Sequence, residues 1–248
     1  MDSDRALYLG RLGNPSWREM GSYTLYVSLD RPFSLRQAGG EWAEQEMAVV
    51  RPYVSHQVAS PDRSIAVVLI EPESLDSTQL PCRLDGARRF NGVLTLAGRV
   101  RALRDEFKAG ASSKVLFSEG LEQTLYGAPF QRKPLDPRVE YVVARIRDQP
   151  LERQVAEECA SEVNLSFSRF LHLFKQEMGV PFRRYQAWRR ARNVLGTMTG
   201  GPTSLTDVAL DGGYPDSSHF SHTIRQVYGL RPRDIVAGSR GIELIDAR

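Results

Sequence analysis

The sequence predicts a two-domain α+β protein, in which an amino-terminal β-barrel or β-sandwich with trailing helices precedes an all-α domain that carries two helix-turn-helix units. Three observations predict it. Short alternating segments separated by turns fill the front of the chain, helical periodicity fills the second half, and one segment of that half occurs twice. The chain has 248 residues, of which 41% are hydrophobic and 25% charged, as in ordinary globular proteins with room for two domains.

The amino-terminal part of the chain is predicted to form β-strands, because apolar and polar residues alternate there in short runs bounded by turn residues. Five strands are expected: Tyr23–Leu29, Phe33–Leu35, Met47–Val50, Val54–Val58 and Ile65–Ile70. Apolar residues at helical spacing between Val93 and Phe107 then predict an amphipathic helix, and residues 115–125 predict a second. One apolar stripe leaves open whether its own domain or a partner buries it.

Proline residues mark the expected domain boundary. Pro129, Pro134 and Pro137 interrupt the periodicity within a polar, basic stretch. We therefore expect a first domain at residues 1–128, a linker at 129–137 and a second domain at 138–248. Helices are expected throughout the second domain, namely at 138–148, 151–163, 167–178, from Pro181 to Met198, at 205–211 and at 217–228.

The segment Cys159–Gly179 recurs, diverged, as Val208–Gly229. Each matched pair has a physical role: a small residue where helices cross, a residue that tolerates positive φ at the turn, a helix cap, two buried positions four residues apart, and a glycine at the helix end. The pattern predicts a helix-turn-helix, present twice. In that order, the pairs are Ala160 and Ala209, Asn164 and Gly213, Ser166 and either Asp216 or Ser217, Phe170 with Phe174 and Phe220 with Ile224, and Gly179 and Gly229.

Positive charge is concentrated around the first unit. The net charge is only +3, but residues 165–192 hold seven lysine and arginine residues against the single acid Glu177. Such an excess suits a polyanion, although charge alone fits a solvated helix face equally well.

A helix-turn-helix places its second helix in the major groove, where outward residues read base edges. The intervening helix from Pro181 to Met198 spans roughly 26 Å, so the two reading helices can lie about one DNA turn, roughly 34 Å, apart. Arg169 is the strongest candidate reader, because arginine can grip guanine in bidentate fashion, and Arg225 is more suited to phosphate. The candidate DNA-binding residues are Ser166, Ser168, Arg169, His172 and Lys175 in the first unit, and Ser217, Ser218, His219, His222 and Arg225 in the second.

Residues 138–236 resemble the DNA-binding region of the AraC/XylS family of regulators. The resemblance rests on both repeat copies and on Asp207, Tyr228 and Pro232 beside them. It implies sequence-specific transcription regulation, with the outward residues in base-reading positions. The front of the chain resembles more weakly a cupin-like sensor domain, through Arg51-Pro52, His56 and the run from Ser64 to Pro72.

A metal site is not expected in the cupin-like domain, because His56 is the single histidine before the linker and a transition-metal site needs three or four ligands. Trp17, Tyr26, Trp42 and His56 are candidate lining residues of an effector pocket, with simple core packing as the alternative. Cys82 and Cys159 fall in different domains, so we expect free thiols in a reducing compartment rather than a disulfide.

The leading hypothesis is a one-component transcription regulator without catalytic residues or cofactors. It would bind double-stranded promoter DNA, and its amino-terminal domain would either bind an effector or form a homodimer. It is expected in the cytoplasm, and at the nucleoid when it is bound to DNA. RNA polymerase and a small molecule are the other candidate partners. The alternative is a cupin-type enzyme with an appended DNA-binding domain, but no constellation of catalytic side chains can be assembled from the sequence.

Overall fold

Antiparallel strands form the front of the molecule. The computed structural model describes residues 5–12, 14–62, 64–75, 93–109, 133–199, 204–238 and 243–247. The strands are β1 (Arg5–Arg11), β2 (Tyr23–Ser28), β3 (Phe33–Gln37), β4 (Ala43–Gln45), β5 (Met47–Val50), β6 (His56–Ala59), β7 (Ser64–Ile70) and β8 (Glu243–Ala247). One sheet has the order β5-β2-β7-β1-β8 and the other the order β4-β3-β6, and the two form a β-domain.

All five expected strands are present, with ends displaced by at most two residues. The expectation that the carboxyl-terminal region is all-α is wrong at its end, because β8 pairs antiparallel with β1, with Arg5 opposite Ala247. β1 and β4 were also not predicted. β4 has only three residues, and the partners of β1 are β7 and β8, which are far away in sequence and which the pattern of β1 does not reveal.

The helices begin after the β-domain. They are α1 (Val93–Lys108), α2 (Pro137–Asp148), α3 (Ala156–Glu162), α4 (Phe167–Met178), α5 (Phe182–Thr199), α6 (Leu205–Asp211), α7 (Ser217–Tyr228) and α8 (Pro232–Gly238). α1 lies against the β-domain, where the Arg101 guanidinium donates to the Ser28 carbonyl at 2.9 Å and pairs with Glu46. The second helix expected near residues 115–125 lies outside the described residues, as does Cys82.

One predicted helix start is corrected, and one residue placed to cap a helix makes no capping hydrogen bond. α3 begins at Ala156 rather than at residue 151, because Gln154 and Gln186 exchange two hydrogen bonds of 3.0 Å that hold the preceding segment as a loop on α5. Ser204 is the residue before α6, but its side chain makes no capping hydrogen bond. Asp136 caps α2 by accepting from the Arg138 backbone amide at 3.0 Å.

The helix pairs α3–α4 and α6–α7 have the same turn geometry, which confirms the repeat. Asn164 and Gly213 take φ values of 55° and 68°. In both turns a backbone amide bonds to the crossing alanine over 2.9 Å, from Leu165 to Ala160 in one and from Tyr214 to Ala209 in the other. Since each turn closes in this way, the second helix of each pair leaves at a fixed angle.

The helix caps follow the prediction. Ser166 accepts a hydrogen bond from the Arg169 amide at 3.4 Å, and Asp216 rather than Ser217 accepts from Ser218 and His219 at 2.8 and 2.7 Å. Gly179 and Gly229 end α4 and α7 in the left-handed region, at φ 72° and 70°. Both helices therefore end at the glycine with which the corresponding copy of the repeat ends.

Two apolar cores support the two units. α2, α3, α4 and the start of α5 enclose one core around Phe170, Phe174 and Phe182. The second unit shares a core with the β-domain, in which Phe220 and Ile224 belong to the same cluster as Tyr26 and Val67. The β-domain is thus packed against the second unit and against α5.

Candidate nucleic-acid interface

The first reading helix, α4, buries one face and exposes the other. Phe170 and Phe174 are fully buried and Met178 nearly so. The four expected reading residues on the helix, Ser168, Arg169, His172 and Lys175, are all exposed, as is Ser166 at its cap. No acidic residue lies in the first turn of α4. The helix therefore presents cationic and hydrogen-bonding groups to solvent and can offer them to base edges and phosphates.

The second reading helix, α7, has the same division. Phe220, Ile224 and Tyr228 are buried. Its five expected DNA-binding residues, Ser217, Ser218, His219, His222 and Arg225, are all exposed. The His219 ring lies 5.9 Å from the Tyr214 ring, so the turn orients the start of this helix. Serine and histidine dominate this surface, which favours weaker discrimination of bases than arginine gives.

α5 connects the two units, and the β-domain covers one side of it. Trp188 donates from Nε1 to Glu71 Oε2 over 2.7 Å, and Arg189 Nη1 lies 3.2 Å from Glu71 Oε1. Arg192 Nε lies 3.8 Å from the same oxygen, and the Tyr185 hydroxyl donates to Glu73 Oε1 over 2.6 Å. We call Glu71, Glu73, Tyr185, Trp188, Arg189 and Arg192 the buried latch, since every member is buried.

The buried latch was not predicted from the sequence. Glu71 and Glu73 follow directly on β7 and flank Pro72, within a short 3₁₀ turn at Pro72–Ser74. Two acids at the end of an apolar strand are the signal that could have marked them, because burial of a carboxylate requires a cationic or hydrogen-bonding partner. Their arginine partners were counted only as part of the basic excess.

The latch contains a carboxyl group that titrates near neutral pH. Burial, and next the negative charge of Glu71, raise the pKa of Glu73 from an ordinary 4.5 to about 7, although Arg189 and the Tyr185 hydroxyl act in the opposite direction. In the unfolded chain this carboxyl ionises at lower pH, so the folded state binds the extra proton between these two values.

Replacing Glu73 with glutamine should therefore reduce the loss of folding stability that accompanies a rise in pH. The contribution of Glu73 is fully present below its unfolded pKa and is lost as pH rises through about 7. We expect the free energy of unfolding of Glu73→Gln, measured by urea titration, to increase relative to the unmodified protein between pH 5 and pH 8. Parallel pH curves for the two proteins would contradict the assignment.

A second contact joins the β-domain to the end of α7. Ser16 donates to the Gly229 carbonyl, and the Glu19 backbone amide donates to the Gln226 carbonyl at 3.0 Å. The Glu19 carboxylate pairs with Arg184 of α5. The segment from Ser16 to Glu19 thus holds the end of a reading helix while the start of that helix stays exposed.

The four candidate effector-pocket residues fall into two pairs that differ in exposure. Tyr26 and His56 are buried, and the Tyr26 hydroxyl lies 2.8 Å from His56 Nε2. Burial lowers the pKa of His56 to about 4, so its ring is neutral at neutral pH. Trp17 and Trp42 are exposed by 44% and 41%, and their ring centroids lie 5.2 and 4.8 Å from Arg36 Cζ. Both tryptophan rings therefore have a cation–π contact with the same arginine.

The described residues bring together no group of three or more side chains suited to a metal ion. Cys159 is buried and accepts a hydrogen bond from Arg145 at 2.9 Å. Burial raises the pKa of its thiol, which disfavours the reactive thiolate. Within the described part of the chain, no helix has the length and apolarity needed to cross a bilayer.

Comparison with protein families places a known domain on the repeat. Residues 159–237 match the family described as "Helix-turn-helix domain". The matched range begins at the first residue of the first repeat copy and continues into α8, so it contains both units and the helix between them.

Curated relatives match the same region. The HTH-type transcriptional activator RhaS of Klebsiella pneumoniae (strain 342) is 30% identical over 107 residues, which are 43% of this chain and 38% of the relative. RhaS of Escherichia coli O139:H28 is 29% identical over 104 residues, 42% of this chain and 37% of the relative. The chain thus matches less than two fifths of the length of these relatives.

Solved structures share the fold over nearly the whole chain. The crystal structure of ToxT from Vibrio cholerae O395 superposes with a TM-score of 0.59 at 13% identity, covering 95% of this chain and 97% of the other. Wild-type ToxT from strain SCE256 with a bound unsaturated fatty acid gives 0.55 at 12% identity, with 94% of each chain covered. At such identity the likeness concerns the fold: a β-rich region followed by a helical region.

Proposed function

We infer that this chain is a sequence-specific DNA-binding regulator of transcription of the AraC/XylS type. Support comes from the match of residues 159–237 to a helix-turn-helix family and from the likeness of this region to a transcriptional activator. The two reading helices would enter successive major grooves of one duplex. The observation that carries the proposal is the repeated unit with one exposed polar face on each reading helix, described above for α4 and α7.

The proposed DNA-binding residues are the ten exposed candidates on α4, on α7 and at the cap of α4. Arg169 is the leading reader of guanine in this set, because its guanidinium is exposed in the first turn of α4. Ser166 contributes mainly through the cap that fixes the start of that helix, since its hydroxyl already accepts a backbone amide. Arg225 lies in the last turn of α7, which suits a phosphate contact.

Replacing Arg169 with alanine should weaken binding to a preferred site by about 1–3 kcal/mol if the side chain grips a guanine. The site can be selected from random duplexes, and binding measured by fluorescence anisotropy at several salt concentrations. The unmodified protein should bind less tightly as salt increases, because phosphate contacts release counterions. Arg31→Ala is the matched control, since Arg31 is an exposed arginine of the β-domain paired with Asp62.

An equal loss for Arg169→Ala on every duplex sequence would make Arg169 a phosphate contact instead of a reader. If the unmodified protein showed no preference for any selected duplex, the proposed function itself would fail.

The β-domain is proposed to control the DNA-binding region, either through a small effector or by forming a homodimer. Support comes from ToxT, a protein of the same fold that has been crystallised with an unsaturated fatty acid. Trp17, Tyr26, Trp42 and His56 stay the proposed lining of the effector pocket, with the tyrosine and the histidine buried and the two tryptophans exposed. We retain a cupin-like β-domain at 1–128, a linker at 129–137 and a DNA-binding domain at 138–248 as the proposed division, with β8 extending from the last of these into the β-domain.

The enzyme alternative receives no support, because the curated relatives are transcription activators. Their function also favours activation, with RNA polymerase as a proposed protein partner. We propose that the protein works in the cytoplasm, at the nucleoid when it is bound to DNA.

A further inference from the structure

The side of α5 that faces away from the β-domain carries its own row of polar side chains. Arg183, Gln186 and Arg190 follow one another at spacings of three and four residues and so share one face of the helix. Together with Arg153, from the loop before α3, they line one surface depression. We call Arg153, Arg183 and Arg190 the outer arginines.

The arginines of α5 are divided between two opposite surfaces. Arg189 and Arg192 belong to the buried latch, and Arg184 pairs with Glu19 and lies with its Cζ 4.4 Å from the Tyr53 ring. These three charges are therefore engaged by the β-domain. Among the residues that the structure describes, neither Arg183 nor Arg190 has an acidic partner within 4 Å.

The outer arginines lie between the two reading helices. A second depression, next to the first, is lined by Arg183 and by Ser168, His172 and Lys175 of α4. At the other end, the Arg190 guanidinium carbon is 6.0 Å from the ring of Tyr214, the residue that also contacts His219 at the start of α7. The row therefore continues from the exposed face of one reading helix to the turn before the other.

Resting on the proposed function, we propose that the outer arginines form a phosphate-binding site for the DNA backbone that separates the two grooves. Two helices that read successive major grooves from one side must straddle the minor groove and the phosphate backbones that border it. Arg183 and Arg190 are seven residues apart, about 10 Å along the helix, which allows each to meet a different phosphate.

The charge of the depression fits this ligand. Glu157 is the one acid among its lining residues, against three arginines. Arg190 Nε has no hydrogen-bond partner among the described residues, so no protein acceptor holds this nitrogen of the guanidinium. Gln186 braces the loop that carries Arg153, through its two hydrogen bonds with Gln154.

The test compares Arg183→Ala and Arg190→Ala with the unmodified protein on a selected site and on an unrelated duplex. We expect each variant to bind both duplexes roughly tenfold more weakly at 0.1 M salt, and the slope of log affinity against log salt to become shallower by about 1. Arg190→Lys should preserve most of the slope because it keeps the charge. Arg31→Ala removes the same charge from the β-domain and should change neither quantity.

Thermal unfolding of each variant, followed by circular dichroism, shows whether the fold is intact. Should Arg190→Ala unfold, Arg190→Lys and Arg183→Ala carry the test. An unchanged slope in folded variants, while Arg169→Ala still weakens binding, would overturn the phosphate site and leave the proposed function standing. A loss confined to one duplex sequence would also overturn it, since that is the behaviour of a base contact. Absence of DNA binding by the unmodified protein would instead reject the proposed function.

Discussion

Replacing Glu71 with alanine should lower the free energy of unfolding by about 3–5 kcal/mol, because removal of one partner from a buried ion pair leaves the other charge uncompensated. Glu71 is 1% exposed and faces Arg189, Arg192 and the indole nitrogen of Trp188. Its loss would leave two buried guanidinium groups with Glu73 as their remaining acid in the latch and would orphan the Trp188 donor. Urea titration at pH 7 measures the change.

The control for Glu71→Ala is an arginine–carboxylate ion pair that is exposed to solvent. Arg31 and Asp62 pair on the surface of the β-domain, and Arg31→Ala should leave the free energy of unfolding nearly unchanged because exposed ion pairs contribute little. A small effect of Glu71→Ala, similar to that of the control, would show that the latch adds no net stability. A large effect would identify the β-domain as a structural support of α5.

Replacing Phe174 with alanine should cost about 3–5 kcal/mol, through lost burial and the cavity left behind. Phe174 is fully buried and packs against Phe182 and Tyr185, with ring centroids 5.2 and 5.7 Å away. It holds α4 against the start of α5, so binding to a selected DNA site should weaken together with stability. Both quantities can be measured on one sample, by urea titration and by anisotropy.

Phe167 provides the matched control, because it is the first residue of the same helix and is 42% exposed. Phe167→Ala should change stability far less than Phe174→Ala. Equal losses for the two variants would contradict the assignment of Phe174 to the supporting core.

The sequence was sufficient where the cause of a conformation is local. The turns at Asn164 and Gly213, the cap at Ser166 and the helix ends at Gly179 and Gly229 depend on residues within a few positions of one another, and the structure confirms each. The exposure of the candidate reading residues follows in the same way from helical periodicity.

Long-range partners could not be predicted in this way. The pairing of β8 with β1 joins segments from opposite ends of the sequence, and nothing in either segment specifies the other. Composition revealed an excess of arginine on α5, but it could not say that Arg189 faces the β-domain while Arg190 faces outward. That distinction depends on which side of the helix meets Glu71, and only the packed structure contains it.

α5 has the β-domain on one side and the outer arginines on the other. One helix therefore connects ligand binding at the β-domain with phosphate binding at the outer arginines. If the proposed effector shifts the β-domain against this helix, it would act on the element that also carries the proposed phosphate contacts. Thermodynamic linkage then requires the converse, because a coupling free energy acts equally in both directions. Operator DNA would change the affinity of the β-domain for that ligand by the same factor, and a titration of the ligand with and without DNA would measure the communication from either end.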